Sequence, residues 1–204
     1  MRSISDGTST ASFSEIENLT LGGGADLLDA SASGTGVRVE GGSGADTLLG
    51  GAGADTVIGG RSNDTFVVDD EGDVIVETSA VSVDTVESSI SYSLEANPLL
   101  ENLRLTGPLD ISGTGNDGNN VLYGFTSSGA NVLAGGKGDD TYWVGVGDTI
   151  VEEADGGNDT VVLTALGTYQ LSAFDNVENM KLVNLAGASN LSGDASTNIL
   201  TGNA

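Results

Sequence analysis

The chain has 204 residues, with 30 acidic and 6 basic side chains and a net charge of −24. This balance argues against nucleic acid or anionic membrane surfaces as partners and favours cations. The chain has no Cys and no His, which excludes disulfides, thiolate zinc sites and His-based nucleophilic triads.

In chain order, the recurring unit is an Asp or Asn followed by a short apolar run. These units begin at positions 18, 26, 46, 55, 64, 73, 84, 102, 110, 120, 131, 140, 148, 159, 179, 190 and 198. Most gaps are 8 to 11 residues, and the longer gaps correspond to two units with one unrecognised. A short period maintained along a chain is typical of a solenoid.

Each unit is predicted to hold a turn of about six residues and a strand of about three, which is only about 10 Å long. Such strands need neighbours above and below, so they are expected to stack into parallel sheets. Two units would make one coil of about 18 residues, giving an all-β, right-handed parallel β-roll, or β-solenoid. The side chains expected to point inward are Leu48, Val57, Phe66, Leu133 and Tyr142.

The whole chain, 1–204, is expected to be a single β-roll domain with an internal repeat of about 77 residues, roughly 64–139 and 140–204. Two stretches, 87–100 and 162–177, lack the glycine pattern and predict looser coils with a short helical turn. The last residues resemble the start of another repeat, so flanking domains of a longer chain are expected. No window approaches a transmembrane span, so membrane insertion is not expected.

The aspartates fall on two edges of this roll, because turns two units apart share an edge. One edge is predicted to carry Asp26, Asp46, Asp64 and Asp84, and the other Asp55 and Asp73; later in the chain Asp140 pairs with Asp159, and Asn131 with Asp148. Facing carboxylates about 5 Å apart would repel, so a cation must neutralise them. Calcium fits best, since it takes six to eight oxygens in irregular geometry, whereas magnesium keeps waters and zinc prefers His or Cys.

Three phrases, GGSGADTLL from Gly41, GGAGADTVI from Gly50 and GGKGDDTYW from Gly135, resemble the nonapeptide of the RTX, or haemolysin-type, calcium-binding repeats. GGRSNDTFV, from Gly59, is a variant with Ser62 in place of a glycine. The resemblance implies a parallel β-roll that binds several Ca²⁺ ions between successive turns.

The ligands that the resemblance implies are the aspartate carboxylate and the backbone carbonyls of motif positions one and three. Carried over, they are Gly41, Ser43 and Asp46; Gly50, Ala52 and Asp55; Gly59, Arg61 and Asp64; and Gly135, Lys137 and Asp140. Further aspartates in degenerate turns are Asp26, Asp73, Asp84, Asp148 and Asp159. Where Asn replaces Asp, at 102, 120, 131, 179 and 198, amides bonded to backbone are expected instead of metal.

Four other residues have two possible roles each. For Glu77 and Glu152 we expect an exposed face, with metal ligation as the alternative. For Tyr142 and Trp143 we expect core packing, with a sugar-stacking platform as the alternative.

The resemblance implies a calcium-binding module of a secreted or cell-surface bacterial protein, which folds in extracellular calcium after type I secretion. An adhesin or polysaccharide-binding module, with a cell-surface glycan as partner, is the alternative. The chain is not expected to be an enzyme, because it has neither an HExxH nor a GxSxG motif. A glycosidase that uses only carboxylates is formally possible, but the turns account for the acids.

Overall fold

The computed structural model describes residues 2–3, 10–12, 18–183 and 189–202. These residues form short strands joined by turns, together with a 3₁₀ turn at Leu171–Ala173. The chain divides into two compact units, residues 1–90 and 91–204. The predicted all-β parallel solenoid is confirmed, with coils of 17 to 22 residues in the two units.

In the N-terminal unit, consecutive strands alternate between two parallel sheets, which is how a two-strand coil is built. One sheet has the order β1 (Arg2–Ser3), β3 (Asn18–Thr20), β5 (Arg38–Ser43), β7 (Thr56–Arg61) and β9 (Val74–Val76). The other has β2 (Thr10–Ser12), β4 (Leu27–Asp29), β6 (Thr47–Leu49), β8 (Thr65–Val68) and β10 (Thr85–Ser88).

The C-terminal unit repeats this alternation. Its longest sheet contains β12 (Asn102–Leu105), β14 (Val121–Tyr123), β16 (Thr141–Val144), β18 (Thr160–Leu163), β20 (Asn179–Leu182) and β22 (Ile199–Thr201). Facing it are β11 (Tyr92–Ser93), β13 (Ser112–Thr114), β15 (Val132–Ala134) and β17 (Thr149–Val151), and then a separate pair, β19 (Thr168–Gln170) and β21 (Asn190–Ser192). The 3₁₀ turn lies between β19 and β20, inside the stretch predicted to hold a short helical turn.

The core consists of columns of apolar side chains, one from each coil. Leu28 pairs with Leu48, Leu48 with Phe66 and Phe66 with Val86, and all four are fully buried. Each such side chain contributes about 1.5–3 kcal/mol on leaving water. The five side chains predicted to point inward are all buried, so the inward face is confirmed.

The turns before the aspartates are tighter than predicted. β5 and β7 extend three residues further and pair through the glycines, with Gly42 opposite Gly60. Both of these glycines have positive φ, at 106° and 112°. Ser62 takes φ 79° at the position where Gly44 has 131°, so this serine occupies a backbone conformation that suits glycine.

Candidate metal sites

The aspartates of the N-terminal unit form a ladder along one edge. Asp26, Asp46, Asp64 and Asp84 each precede a strand of the same sheet. The backbone N–H of Asp26 donates to Oδ1 of Asp46 at 2.8 Å, that of Asp46 to Asp64 at 2.8 Å, and that of Asp64 to Asp84 at 2.7 Å. Asp46 and Asp64, eighteen residues apart and predicted to lie on one edge, are therefore in direct contact between coils; that they share an ion stays a prediction.

The same ladder recurs in the C-terminal unit. The N–H of Asn120 donates to Oδ1 of Asp140 at 2.7 Å, and the N–H of Asp140 donates to Oδ1 of Asp159 at 2.8 Å. The next step is made by Glu178, whose Oε2 accepts from the N–H of Asp159 at 2.7 Å. The sequence pattern did not single out Glu178, because it stands one residue before the Asn of its unit.

The opposite edge satisfies its carboxylates differently. Asp55 accepts from the N–H of Val37 at 2.7 Å, and its own N–H donates to Oδ1 of Asp73 at 2.9 Å. The other oxygen of Asp73 accepts two further N–H groups, from Asp69 and Asp70, at 3.1 Å each. Both oxygens of Asp73 thus accept backbone N–H groups, one from the neighbouring coil and two from its own turn.

Asp148 follows the same rule in the C-terminal unit. Its Oδ1 accepts from the N–H of Asn131 at 2.9 Å and its Oδ2 from the N–H of Gly145 at 2.7 Å. The predicted pairing of Asn131 with Asp148 is confirmed, and it is a hydrogen-bonded pairing.

Several carboxylate oxygens on the first edge are buried without any hydrogen-bond partner. They are Oδ2 of Asp46, Asp64, Asp140 and Asp159 and both oxygens of Asp26; on the opposite edge, Oδ2 of Asp55 shares this state. These residues are at most 4% exposed. A buried charged oxygen without a partner costs several kcal/mol. A cation or a proton must therefore compensate these atoms.

The protonation behaviour of the ladder has the same cause. Burial raises the pKa of Asp64 and of Asp140 to about 7 and that of Asp159 to about 6. Neighbouring carboxylates add to this rise, whereas backbone N–H donors oppose it. Burial also raises the pKa of Asp46, Asp55 and Asp84. Without a cation, the folded chain therefore holds its protons more tightly than free aspartate does.

The first glycine of each motif makes room for the free oxygen. A methyl group at Gly41 would lie 2.5 Å from Oδ2 of Asp46 and 2.8 Å from the carbonyl oxygen of Gly59. Methyl groups at Gly50 and Gly135 would collide with Oδ2 of Asp55 and of Asp140. Carboxylate and carbonyl oxygens thus converge beside the position-one glycine, and oxygen donors of this kind suit Ca²⁺.

Two of the position-three carbonyls already take part in backbone hydrogen bonds. The carbonyl of Ser43 accepts from Gly24 at 2.7 Å and that of Arg61 from Gly44 at 3.3 Å. Each keeps a second lone pair for a metal. The side chain of Lys137 lies outside and pairs with Asp117 at 2.8 Å, consistent with a contribution from its backbone alone.

The copy GGAGADTVI, which begins at Gly50, has a different turn from its neighbours. Neither Gly51 nor Gly53 has φ in the left-handed range, although the matching Gly42 and Gly44 do. Its neighbours along the edge are the degenerate turns 33–36 and 69–73, which do not repeat the glycine phrase. Ala52 there donates its N–H to the carbonyl of Ser33 at 3.0 Å.

The asparagines bond to the backbone, as predicted. Asn120 accepts from the N–H of Asn116 at 2.7 Å, and Asn131 donates to the carbonyls of Gly124 and Gly129 at 3.1 and 3.3 Å. Asn179 and Asn198 likewise donate to backbone carbonyls.

Glu77 and Glu152 are buried, at 6% and 8% exposure, so the expectation of an exposed face was wrong. Each follows a strand whose side chains alternate, and the glutamate falls on the inward side. Two groups of three carboxylates result, Asp64 with Glu77 and Asp84, and Asp140 with Glu152 and Asp159. The sequence signal was available, because each glutamate stands one coil after a position-one glycine.

The aromatic residues divide between the two faces. Tyr142 is fully buried, which confirms core packing. Trp143 lies on the outer face, where it stacks on Tyr123 at 5.8 Å and packs against Phe125 at the same centroid distance. Arg104 lies over the Tyr123 ring at 5.4 Å.

Comparison with known families identifies the repeated phrase. Residues 38–75 and 114–151 match the model of the RTX calcium-binding nonapeptide repeat, in four copies. Neither a curated protein nor a solved structure gives a significant match to the chain. In the part of the chain that the structure describes, no helix has the length and apolar character needed to cross a membrane.

Proposed function

The chain carries RTX calcium-binding repeats in a parallel β-solenoid, and from this premise we propose that it is a structural module that folds when Ca²⁺ binds between successive turns. The observation that carries the proposal is the row of buried carboxylate oxygens without hydrogen-bond partners. Their spacing from coil to coil follows the strand stacking, so an ion bound there would hold neighbouring coils together.

The ligands differ between the two edges. On the edge of Asp46 and Asp64, the free Oδ2 atoms and the carbonyls at Gly41, Ser43, Gly59 and Arg61 would hold the ions; Asp26 and Asp84 would extend the row. In the C-terminal unit, Asp140 and Asp159 with the carbonyls at Gly135 and Lys137 would do the same. Asp55, with the carbonyls at Gly50 and Ala52, forms a weaker candidate. Asp73 and Asp148 would hold their turns, because their oxygens already accept N–H groups.

Calcium supplies positive charge that the ladder cannot provide for itself. Without it, neighbouring carboxylates repel by about 1 kcal/mol per pair in water and by several times that where screening is poor. Since the aspartates do not form such a site in an unfolded chain, the free energy of binding becomes free energy of folding. In Asp46, Asp64, Asp140 and Asp159, backbone N–H groups orient Oδ1 and leave Oδ2 for the metal.

Secretion and an extracellular or cell-surface location belong to the same proposal. RTX repeats occur in secreted bacterial proteins, and millimolar calcium outside the cell would favour the folded form. A chain that folds only after export would remain unfolded during passage through a type I secretion channel.

The alternative, an adhesin or glycan-binding module, receives less support. The outer aromatic rings of Tyr123, Phe125 and Trp143 pack on one another, so mutual packing accounts for them. A catalytic role receives less support as well, because the buried carboxylates are accounted for by the ladders.

Circular dichroism during a calcium titration of the chelated full chain tests the proposal. We expect the strand signal to rise with calcium and to rise far less with magnesium at the same concentration.

A matched pair of variants is Asp140→Asn and Asp139→Asn, because the first residue is buried in the ladder and the second is exposed. Asparagine keeps an acceptor for the N–H of Asn120, so Asp140→Asn removes the charge and leaves the hydrogen bond. It should weaken calcium binding, whereas Asp139→Asn should not. A strand-rich spectrum that survives thorough chelation unchanged would refute coupled folding.

A further inference from the structure

Glu77 and Glu152 stand where the column of position-one glycines ends. β7 and β9 pair so that Glu77 lies beside Gly59, and β15 and β17 pair so that Glu152 lies beside Gly135. In both units a glutamate side chain thus enters the space that the preceding glycine leaves open.

Glu77 is oriented by the backbone and keeps one oxygen free. Its Oε1 accepts from the N–H groups of Thr78 and Ser79, at 2.6 Å each. Its Oε2 is buried without a hydrogen-bond partner, and the residue is 6% exposed. A carboxylate held in this way points a charged atom into the interior of the edge, where only a cation or a proton can compensate it.

Three carboxylate oxygens meet at this point. Asp64, Glu77 and Asp84 each offer one oxygen, and these atoms all lie within 4.8 Å of one another. Calcium binds oxygens at about 2.3–2.6 Å, so two of its ligands can be separated by up to about 5 Å. A methyl group at Gly59 would lie 2.5 Å from Oδ2 of Asp64 and 2.7 Å from Oε2 of Glu77. The glycine therefore keeps open a space bounded by the free oxygens.

The turns that follow the two glutamates depart from the repeated phrase. Residues 78–84 read TSAVSVD and residues 153–159 read EADGGND, so neither repeats GGxGxD. After Glu152 the Gly156 carbonyl still accepts from the N–H of Gly138 at 2.8 Å, as the Arg61 carbonyl does from Gly44. The glutamate is thus the carboxylate that each of these clusters has in addition to its two aspartates.

We propose that Glu77 and Glu152 are calcium ligands that close each row of sites with a third carboxylate, next to a turn that does not repeat the glycine phrase. This inference rests on the proposed function, because it assigns ligands within the same ladders. The ion in the N-terminal unit would lie between Asp64, Glu77 and Asp84, and the ion in the C-terminal unit between Asp140, Glu152 and Asp159.

An open cleft lies against the turns that carry the first of these clusters. It has a volume of about 690 Å³. Asn63 and Thr78, the sequence neighbours of Asp64 and Glu77, are among the residues that line it.

The second cluster differs in how its glutamate is satisfied. Oε1 of Glu152 accepts from the N–H of Glu153 at 2.9 Å and Oε2 accepts from the hydroxyl of Tyr142, so in this cluster the unpaired oxygens are Oδ2 of Asp140 and Oδ2 of Asp159. Phe66, which has no hydroxyl, occupies the position of Tyr142 after Asp64. Tyr142 thus orients Glu152 from the core and places an aromatic ring beside the site, where it can report on a bound ion.

Glu77→Gln in the full chain tests the first site. Glu71→Gln is the matched control, because Glu71 is exposed and its substitution removes the same charge. Glutamine keeps the acceptor for Thr78 and Ser79 and places an amide donor near Oδ2 of Asp64. If Glu77 is a ligand, calcium binding at this site should weaken about tenfold, since affinity follows the charge count of the ligands. The calcium-induced rise in melting temperature should shrink by roughly 3–6 °C.

The same variant should behave in the opposite way without calcium. Removing one buried charge leaves the chelated Glu77→Gln chain at least as ordered as the wild type, because less repulsion remains. Glu77→Met provides a second test, since it removes the charge without supplying an amide. A purely structural role for the carboxylate predicts losses with and without calcium, and that result would overturn the inference.

Terbium, which replaces calcium, tests the second site through sensitised emission from Tyr142 and the adjacent Trp143. Emission should fall in Glu152→Gln and remain in the control Glu153→Gln, whose side chain is exposed. If the wild type shows no calcium response, the proposed function itself fails. If the wild type responds and the Gln variants at 77 and 152 match their controls, only the ligand role of these glutamates is refuted.

Discussion

At the scale of single residues, Asp46, Asp64, Asp140 and Asp159 have a divided role. One oxygen accepts an N–H from the neighbouring coil, as Asp64 does from Asp46 at 2.8 Å, while the other is buried without a hydrogen-bond partner. The hydrogen bond sets the direction of the carboxylate before any metal arrives. An asparagine can keep the first function and lose the second, as Asn131 does, whose Oδ1 accepts from the N–H of Ile111 in the neighbouring coil at 3.3 Å.

Ser62 is a residue at which backbone strain can be removed by substitution. It holds φ 79° where the corresponding residues Gly44 and Gly138 are glycines with positive φ. We expect Ser62→Gly to stabilise the calcium-loaded fold by about 1 kcal/mol, because a residue with Cβ is strained in this region by about 1–2 kcal/mol. Thermal unfolding in saturating calcium measures the change. Ser62→Ala keeps Cβ and should bring no gain, and an equal gain from both substitutions would contradict the explanation.

At the scale of the strand, three residues suffice because each strand is one step in a column. In β4, Leu28 is fully buried beneath Leu48, while the adjacent Leu27 is 41% exposed. The two side chains differ in exposure because successive residues of a pleated strand point to opposite faces. The residue type is the same, so it cannot explain the difference.

This pair gives a test within one strand. Leu28→Ala should lower the free energy of unfolding by about 2–5 kcal/mol, because it opens a cavity in a close-packed column. Leu27→Ala should cost less than about 1 kcal/mol, since its side chain loses little buried area. Denaturant unfolding with calcium present measures both values. Similar losses for the two variants would show that the inward face is misassigned.

At the scale of the whole molecule, the dominant property is a net charge of −24 combined with carboxylates that the fold buries. Protons and calcium therefore compete for the same oxygens. In the folded chain the pKa of Asp64 and of Asp140 is about 7, against 3.8 for an ordinary aspartate. The folded chain without calcium thus binds more protons than the unfolded chain between these two values.

The sign of the pH dependence follows from this difference. Stability of the calcium-free fold should be fully present below the unfolded pKa and decline as pH rises through about 7. We expect the chelated protein to gain strand signal and melting temperature between pH 8 and pH 5.5. In the same range the calcium concentration at half-folding should not increase as pH falls, because the unfolded chain and the calcium-loaded fold both keep these carboxylates ionised while the calcium-free fold gains stability. A double variant, Asp64→Asn with Asp140→Asn, should flatten the gain in calcium-free melting temperature, and a calcium-free melting temperature that falls on acidification would contradict the prediction.

The sequence by itself determined the period, the parallel stacking, the inward column and the edge on which each aspartate lies. These follow from residue spacing, because strands of equal length must stack in register and turns two units apart must share an edge. The Asp46–Asp64 contact could therefore be predicted from numbering alone.

Only the tertiary structure decided how each carboxylate is satisfied. It buried Glu77 and Glu152 beside the glycine column, and it filled both oxygens of Asp73 and Asp148 with backbone N–H groups. It also gave Gly51 and Gly53 a different turn from Gly42 and Gly44. The physical reason is the same in each case: whether an oxygen meets an N–H group, a glycine or another carboxylate depends on the neighbouring coil, and the neighbouring coil lies 17 to 22 residues away in the chain.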